Sequence, residues 1–559
     1  MSADPVAQPP RGESFGRRLL ELVTVSLSFA ALTAAFTYPL ITDLGGYGYK
    51  LGIPGDSQFS VWNVAWVARA LIIHPLNVFD ANIFYPERGA LVFSETNFGA
   101  GLLGVPAYLL TGNAYVTHNS VLLLAFTLNG ITAYYLARYL AGDRRAAAIA
   151  AICFAYCPYM FGHLPHIQLL MASGIPLSLL AFHRLADRPS AGRGLVLGVA
   201  VSWQAISCAY YAVFVALLIG WTIVLAAFVE GRWRDPRFWR SLSIAGLLAF
   251  VVLGGLYLPY FTLQREAGFA RTLENAEQFS ANWPSYLASS AIMTAWIHPL
   301  LPKWVDVLFP GMLATIAGVA GAFVAWRSGG RDRYHAVLYG TIAIGAFWLS
   351  FGPRAGLYAI FYRIVPPFSF LRAPSRFGML VALALSMLAA VALARFLARR
   401  AMPGVTTALV LTIAIASRVT PIPLTPTPGF SPAYQVLASA PDGAVVELPI
   451  YSRQARFYRT QYMLASTVHW KPLVNAYSDY SPPSFSDRRD MLSYFPTRES
   501  LQSLASESVR YAVFHLSEYP PDEGLRQRLE QSLEEFGTYL RPLYRDEEVW
   551  LYEILGAPE

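Results

Sequence analysis

The feature that most constrains this chain is a succession of apolar runs, each reaching or approaching the ~20 residues a helix needs to cross the hydrocarbon core of a bilayer. The first, Leu22 to Ile41, carries no charged residue. Of the 559 residues 55% are hydrophobic and 14% charged, against roughly 25% charged in soluble domains, so the bilayer is the main solvent. The net charge is +7, but the arginines are strung between apolar runs and form no single basic face, which argues against a nucleic-acid partner. Cys153, Cys157 and Cys208 lie inside apolar runs. The first two share a helical face without making a metal quartet, and packing is their plainest role. Arg11, Arg17 and Arg18 precede the first run as they would precede a signal peptide. That run exceeds the ~7 to 15 apolar residues of a typical signal, which favours a retained anchor.

Eleven spans are expected, near 22–41, 116–138, 145–162, 167–184, 192–208, 210–229, 240–262, 306–326, 334–352, 375–397 and 404–420. With the N-terminus cytoplasmic, every inner loop is rich in arginine: Arg138, Arg144 and Arg145; Arg184, Arg188 and Arg193; Arg232, Arg234, Arg237 and Arg240; Arg327, Arg331 and Arg333; Arg395, Arg399 and Arg400. This is the positive-inside pattern. The run Gly99 to Gly112 contains Pro106 and is too short to span, so it reads as an interfacial or re-entrant helix on the outer side. One outer loop departs from the charge pattern, with Arg354, Arg363, Arg372 and Arg376, the last two inside FLRAPSRF. Arginine suits bidentate phosphate recognition, which makes Arg372 and Arg376 candidates for an anionic lipid headgroup; snorkelling to bulk lipid phosphates is the alternative.

The domain plan that follows is a tail at 1–21, a membrane domain at 22–420 with outer loops 42–115 and 263–305, a proline-rich linker at 421–434 and an outer soluble domain at 435–559. In the first outer loop, PGDSQFSVWNVAWVARAL begins a helix with Trp62 and Trp66 on one face, read as lying on the outer leaflet. Asp56 or Ser57 suits its N-cap, and Asp56 also suits a general base near a substrate hydroxyl. Asp43, Asp80 and Glu95 are the other acids nearby.

An early acid in a long first outer loop, about eleven spans and a C-terminal outer domain resemble the GT-C superfamily, which includes protein mannosyltransferases and aminoarabinose transferases. GDSQFSVWNVAW, FYPERGAL, FAYCPYMFGHLPHIQLL and FLRAPSRF are similar to strings in bacterial membrane proteins assigned to that superfamily. The resemblance implies transfer of a sugar from a polyprenyl-phosphate donor to a glycan, lipid or protein acceptor on the outer face, with Asp56 as the base; Asp80, close by in the same loop, is a further substrate-binding candidate. Several GT-C families hold two adjacent acids at that place, whereas Gly55 and Ser57 flank Asp56. Some use a divalent ion, but two histidines and scattered acids specify no metal site, and no cofactor is expected.

His163, His166 and Gln168 stand where the third span turns back through Pro165, suited either to orienting a substrate or to interfacial hydrogen bonding. In the loop 263–305, Glu266, Arg271 and Glu274 fall near helical spacing, as in an exposed ion-paired helix or a lid. Beyond the linker, VVELPI, VRYAVFHL and VWLYEIL read as strands and DEGLRQRLEQSLEEF as a helix, a small α/β or α+β layer. His469, Trp470, Asn475 and Tyr477 lie between its first two strands, where flat aromatic faces with amides suit sugar recognition and equally suit packing. No glycine-rich phosphate loop calls for a soluble nucleotide. The fold class is thus a polytopic α-helical membrane protein of GT-C type with a small C-terminal outer-face domain, and a glycosyltransferase is the leading reading. A lipid or polysaccharide transporter, which would favour repeat symmetry and mid-span ionisable residues, is one alternative. A noncatalytic envelope assembly protein on the same scaffold is the other.

Overall fold

A computed structural model describes residues 14–50, 54–268, 271–519 and 523–559. The tail before Ser14, with Arg11, lies outside the described residues. Each expected span corresponds to a helix or a broken pair of helices: Phe15–Phe36, Ala114–Ala141, Arg144–Ala155 with Pro158–Gly162, Ile167–Leu170 with Gly174–Asp187, Ala191–Ser207, Ala209–Phe228, Pro236–Ala267, Met312–Ser328, Gly330–Ser350, Gly378–Ala398 and Pro403–Ala416. Among the described residues seven helices are long and apolar enough to cross a membrane, and Met312–Ser328 and Pro403–Ala416 are shorter apolar helices. The chain is a multi-pass membrane protein. The helix Phe98–Thr111, with Pro106 inside it, spans only 14 residues, about 21 Å at 1.5 Å per residue.

The helices start where their loops end in a capping side chain. Asp143 accepts from the amides of Arg145 and Ala146 at 2.8 and 3.0 Å. Asp235 does the same for Arg237 at 2.9 Å. Ion pairs join the arginine-rich loops: Arg144 reaches Glu21 at 2.8 Å, Arg331 reaches Asp187 at 2.8 Å, and Arg395 pairs with Asp332 at 2.5 Å. Tyr139 donates to Asp187 at 2.7 Å, so loops from four different hairpins meet at one end of the helices.

Two units emerge: one comprises the chain through Thr42 and Val121–Pro423, the other Asp43–Ser120 and Leu424–Glu559. In the first, glycines allow close helix crossings. A methyl added to Gly194 would lie 2.3 Å from the Ser241 carbonyl oxygen, and one on Gly321 would lie 1.9 Å from that of Leu388. Without a hydrophobic drive between helices in lipid, such backbone approach supplies the contact. Elsewhere Leu247, Phe250 and Leu258 on helix Pro236–Ala267 are more than half exposed, as hydrocarbon-facing residues should be.

The second unit contains two sheets. Strand β1 (Tyr47–Tyr49) pairs antiparallel with β2 (Leu424–Pro426), so part of the expected linker is a strand fixed to the first loop. The larger sheet has β3 (Ala444–Leu448), β4 (Val509–His515), β5 (Leu540–Arg545) and β6 (Val549–Ile554) in the order β3-β4-β6-β5. β3 and β4 run parallel, the other pairings antiparallel. Helix Asp56–Ile73 belongs to this unit, and most of its residues are buried. Trp62 is fully buried and donates to Asn82 Oδ1 at 3.1 Å, while Trp66 donates to the Val78 carbonyl at 3.0 Å. Val61, Ala65, Ala114, Tyr115 and Leu464 form its core, with Tyr108, Phe430 and Trp470 packed against them.

Some boundaries in the first unit differ from expectation: the first helix is Phe15–Phe36, not 22–41, and so begins within the expected tail. The helix expected from 306 begins at Met312, because Pro310 and Gly311 interrupt the apolar run. The acids and arginine of 263–305 do not share one helix: Glu266 ends Pro236–Ala267, and Leu273–Gln278 is a separate short helix capped by Thr272.

Candidate functional site

In the first unit the short helix Pro158–Gly162 delivers His163 to an irregular stretch that ends at Gly311. The His163 ring stacks on Tyr159 with centroids 4.1 Å apart, and its Nδ1 lies 2.8 Å from the Tyr159 carbonyl. Nε2 lies 3.5 Å from Oδ1 of Asp306. Asp306 accepts from the Val307 amide at 2.7 Å and from the Ser375 hydroxyl at 2.7 Å. Burial acts to raise the Asp306 pKa, but His163, Ser375 and the Val307 amide outweigh it and bring the carboxyl down to about 2. Asp306 is thus a fixed anion that ties the third span to the loop bearing the arginines.

Ser375 precedes Arg376, whose guanidinium lies 4.1 Å from the centroid of the Tyr210 ring. The Tyr210 hydroxyl accepts from the Arg372 amide at 2.7 Å, so one tyrosine seats both arginines. The Arg372 guanidinium lies 4.9 Å from the Phe279 ring, and the Phe279 carbonyl accepts from the Ser375 amide at 3.2 Å. Tyr211 donates to the Leu169 carbonyl at 2.9 Å and lies 3.2 Å from the Tyr159 hydroxyl. Three of the expected site residues, His163, Arg372 and Arg376, are therefore brought together. The His166 ring is 6.3 Å from His163. Gln168 lies on Ile167–Leu170, and its Oε1 is buried without a hydrogen-bond partner among the described residues. Arg372 and Arg376 are thus set in a loop that Asp306 holds through Ser375, and guanidinium groups suit bidentate recognition of an oxyanion.

In the second unit Gly55, at φ 140°, is the N-cap of helix Asp56–Ile73, so Asp56 is its first residue and neither Asp56 nor Ser57 takes the cap position. The Gly55 amide donates to Thr460 Oγ1 at 2.8 Å, and Thr460 donates to Gln58 Oε1 at 2.8 Å. Asp56 is half-buried at a helix N-terminus whose geometry is fixed by Thr460. The dipole there favours the ionised carboxylate. Phe59 meets Tyr477 edge-on at 5.8 Å, Phe457 lies 5.0 Å from Tyr477, and Arg456 sits over both rings at 5.7 Å.

Two other acids of the first loop close turns. Asp80 accepts from the Gly89 amide at 2.8 Å, and Asp43 accepts from Gly45 and Gly46 at 3.1 and 2.7 Å. Asn475 takes the Glu447 amide on Oδ1 at 3.0 Å and gives Nδ2 to the Glu447 carbonyl at 2.8 Å, bracing the edge of β3. Trp470, at φ 55°, packs on Trp66 at 5.9 Å and carries Arg69 at 5.3 Å. The His469 ring is parallel to Tyr434 at 5.9 Å. Of the aromatic segment read for sugar recognition, Trp470, His469 and Asn475 are committed to packing. Glu447 is fully buried and held by Tyr434 at 3.2 Å and His515 at 2.7 Å.

Asp306, Tyr159 and Tyr210 escaped the sequence reading; the acid in KWVDVLFPG, just before a Pro-Gly helix start, was the available signal. Among the described residues no group of three or more His, Cys, Asp or Glu side chains is placed to hold a metal ion.

No protein-family model matches the sequence, and no curated protein does. Among solved structures the chain is similar to the Archaeoglobus fulgidus oligosaccharyltransferase tethered with an acceptor peptide, at 12% identity over 89% of this chain and 69% of that one, with a TM-score of 0.46. It is similar to ArnT from Cupriavidus metallidurans in the apo state, at 14% identity over 97% and 99% of the two chains, with a TM-score of 0.47. For ArnT bound to undecaprenyl phosphate the values are 13%, 98%, 100% and 0.42.

Proposed function

We propose that this chain is an integral-membrane glycosyltransferase of the GT-C type, moving a sugar from a polyprenyl-phosphate-linked donor to an acceptor at the outer face of the bacterial inner membrane, with its N-terminus cytoplasmic. The observation that carries the reading is Asp56: a half-buried carboxylate that opens a helix just after the first span, held in place through Gly55 and Thr460. A base so fixed loses little entropy when it meets a substrate hydroxyl.

Asp56 takes the proton of the acceptor hydroxyl as that oxygen bonds to the anomeric carbon. The bond from the anomeric carbon to the phosphate oxygen breaks, its electron pair leaves with the lipid phosphate, and in-line displacement inverts the centre. Arg372 and Arg376 bind the phosphate and stabilise the charge that grows on it as it leaves. Tyr210 accepts from the Arg372 amide and lies under the Arg376 guanidinium, and Phe279 lies under that of Arg372, so ring contacts hold both planar groups in place.

The test uses purified protein, membrane-extracted acceptors and a panel of radiolabelled polyprenyl-phosphate hexoses and pentoses, and counts sugar transferred. Asp56→Asn should cut the rate by about a hundredfold or more with an unchanged melting temperature. An equal rate would remove the base role. Failure of the wild-type protein across the panel would remove the transferase reading.

A further inference from the structure

Arg418 follows helix Pro403–Ala416 and is only 1% exposed. Its Nη2 donates to the Pro310 carbonyl at 3.0 Å. Nε and Nη1 are buried without a hydrogen-bond partner among the described residues. The free donors are one N–H on Nε and two on Nη1. The guanidinium lies across Gly311, whose φ is 92°: a methyl there would sit 2.3 Å from Nη1 and 2.5 Å from Nη2. Gly311 is the N-cap of the 17-residue helix Met312–Ser328, with no side-chain cap and no acid in its first turn.

Two positive ends therefore meet in a buried place. The first-turn amides of a helix carry partial positive charge, and a guanidinium beside them adds a full one. Burying an unpaired charge costs several kcal/mol, and the like-signed helix terminus adds to that cost. An anion lying against both would satisfy the arginine and the amides together. The surroundings say what carries it. Val405, Leu409 and Ile413 on the helix that leads to Arg418 are exposed, as are Met312, Ile316 and Val319 on the helix that starts at Gly311. Apolar faces on both helices run from the charged spot along lipid-facing surface, as the chains of a lipid would.

The geometry points to a phosphate-binding site made by Arg418 and the N-terminus of helix Met312–Ser328, occupied by the phosphate of a membrane lipid. It is separate from the Arg372 and Arg376 seat and does not require that the chain transfer a sugar.

The full-length protein is purified in a phosphorus-free detergent, washed, and examined by native mass spectrometry and phosphorus analysis. Wild type should retain a phosphate-bearing lipid, and Arg418→Gln should lower its occupancy at least about tenfold, one lost charge-assisted contact. Arg418→Lys should fall between, and Arg372→Gln with Arg376→Gln should keep this lipid. Delipidated wild type is then titrated with phosphatidylglycerol, a polyprenyl phosphate and inorganic phosphate, reading the melting temperature. Stabilisation by either lipid supports the site and identifies the lipid class; stabilisation by inorganic phosphate alone would overturn the lipid assignment. Should Arg418→Gln fail to fold, Arg418→Lys and the wild-type titration decide: no retained phosphorus and no stabilisation by any of the three probes would overturn the site. Lipid lost only with Arg372 and Arg376 would likewise overturn it while leaving the transferase reading intact. Lipid held at Arg418 in a protein without transfer would do the reverse.

Discussion

His163 and Asp306 are paired across the chain, Nε2 to Oδ1 at 3.5 Å, while the other ring nitrogen of His163 faces the Tyr159 carbonyl at 2.8 Å. Asp306 is held on both oxygens, by His163 and the Val307 amide on Oδ1 and by the Ser375 hydroxyl on Oδ2. Asp306→Asn should therefore weaken its contacts with His163, Ser375 and the Val307 amide and cost about 3 kcal/mol, read as a lower thermal midpoint. Ser375→Ala, removing one hydroxyl donor, should cost about 1 kcal/mol. Combining Asp306→Asn with His163→Ala should cost less than the sum of the two; strict additivity would show that the pair is not coupled. Because the Asp306 carboxyl is held down at about 2, its contribution is complete above the ordinary carboxylate range. It is lost only as pH falls toward about 2.

Arg376 and Tyr210 separate charge from shape. Arg376→Lys keeps the positive charge but gives up the planar stack over Tyr210 at 4.1 Å. Affinity for a polyprenyl phosphate should weaken about tenfold in Arg376→Lys and further in Arg376→Gln, measured by titration in detergent. Wild-type affinity in the lysine variant would show that the stack has no part in binding.

What was legible in the sequence is what local patterns encode. The eleven helical segments follow from hydropathy and from arginine loops that end in caps such as Asp143 and Asp235. The strands β3, β4 and β6 follow from runs of branched and aromatic residues, whereas β5, whose RPLYR contains Pro542, gave no such signal. Long-range pairing was not legible. Trp62 and Trp66 look like a membrane-interface pair until Asn82 and the Val78 carbonyl take their N–H groups. Asp306 sat inside an apolar run and was read as the edge of a span, yet its partners are His163 and Ser375. Arg418 was hidden in the same way at the end of the last span.

Helix crossings give a prediction independent of any ligand. A methyl at Gly321 would meet the Leu388 carbonyl oxygen at 1.9 Å, whereas one at Gly246 meets nothing within 4 Å. Both glycines are helical. Gly321→Ala should destabilise by about 1 to 3 kcal/mol through backbone overlap. Gly246→Ala should be neutral or stabilising by up to about 1 kcal/mol. Thermal melts in one detergent check this, and equal effects would count against the close crossing of Met312–Ser328 with Gly378–Ala398.

His469 sets an acid sensitivity in the second unit. Its Nδ1 accepts from the Lys471 amide at 2.9 Å, and its Nε2 is buried without a partner among the described residues. Burial, with the Lys471 charge adding to it, lowers the pKa to about 3. An unfolded chain takes up this proton below about pH 6.5, but the folded chain does not until about pH 3. The unfolded state thus binds more protons throughout that window, so stability is complete at neutral pH and declines as pH falls from about 6.5 toward about 3. Between pH 7 and pH 5 the loss from this group should be about 2 kcal/mol. His469→Asn keeps an acceptor for the Lys471 amide but cannot titrate. The full-length variant should lose correspondingly less stability over the same interval, and parallel pH profiles of the two proteins would show that His469 is not held neutral.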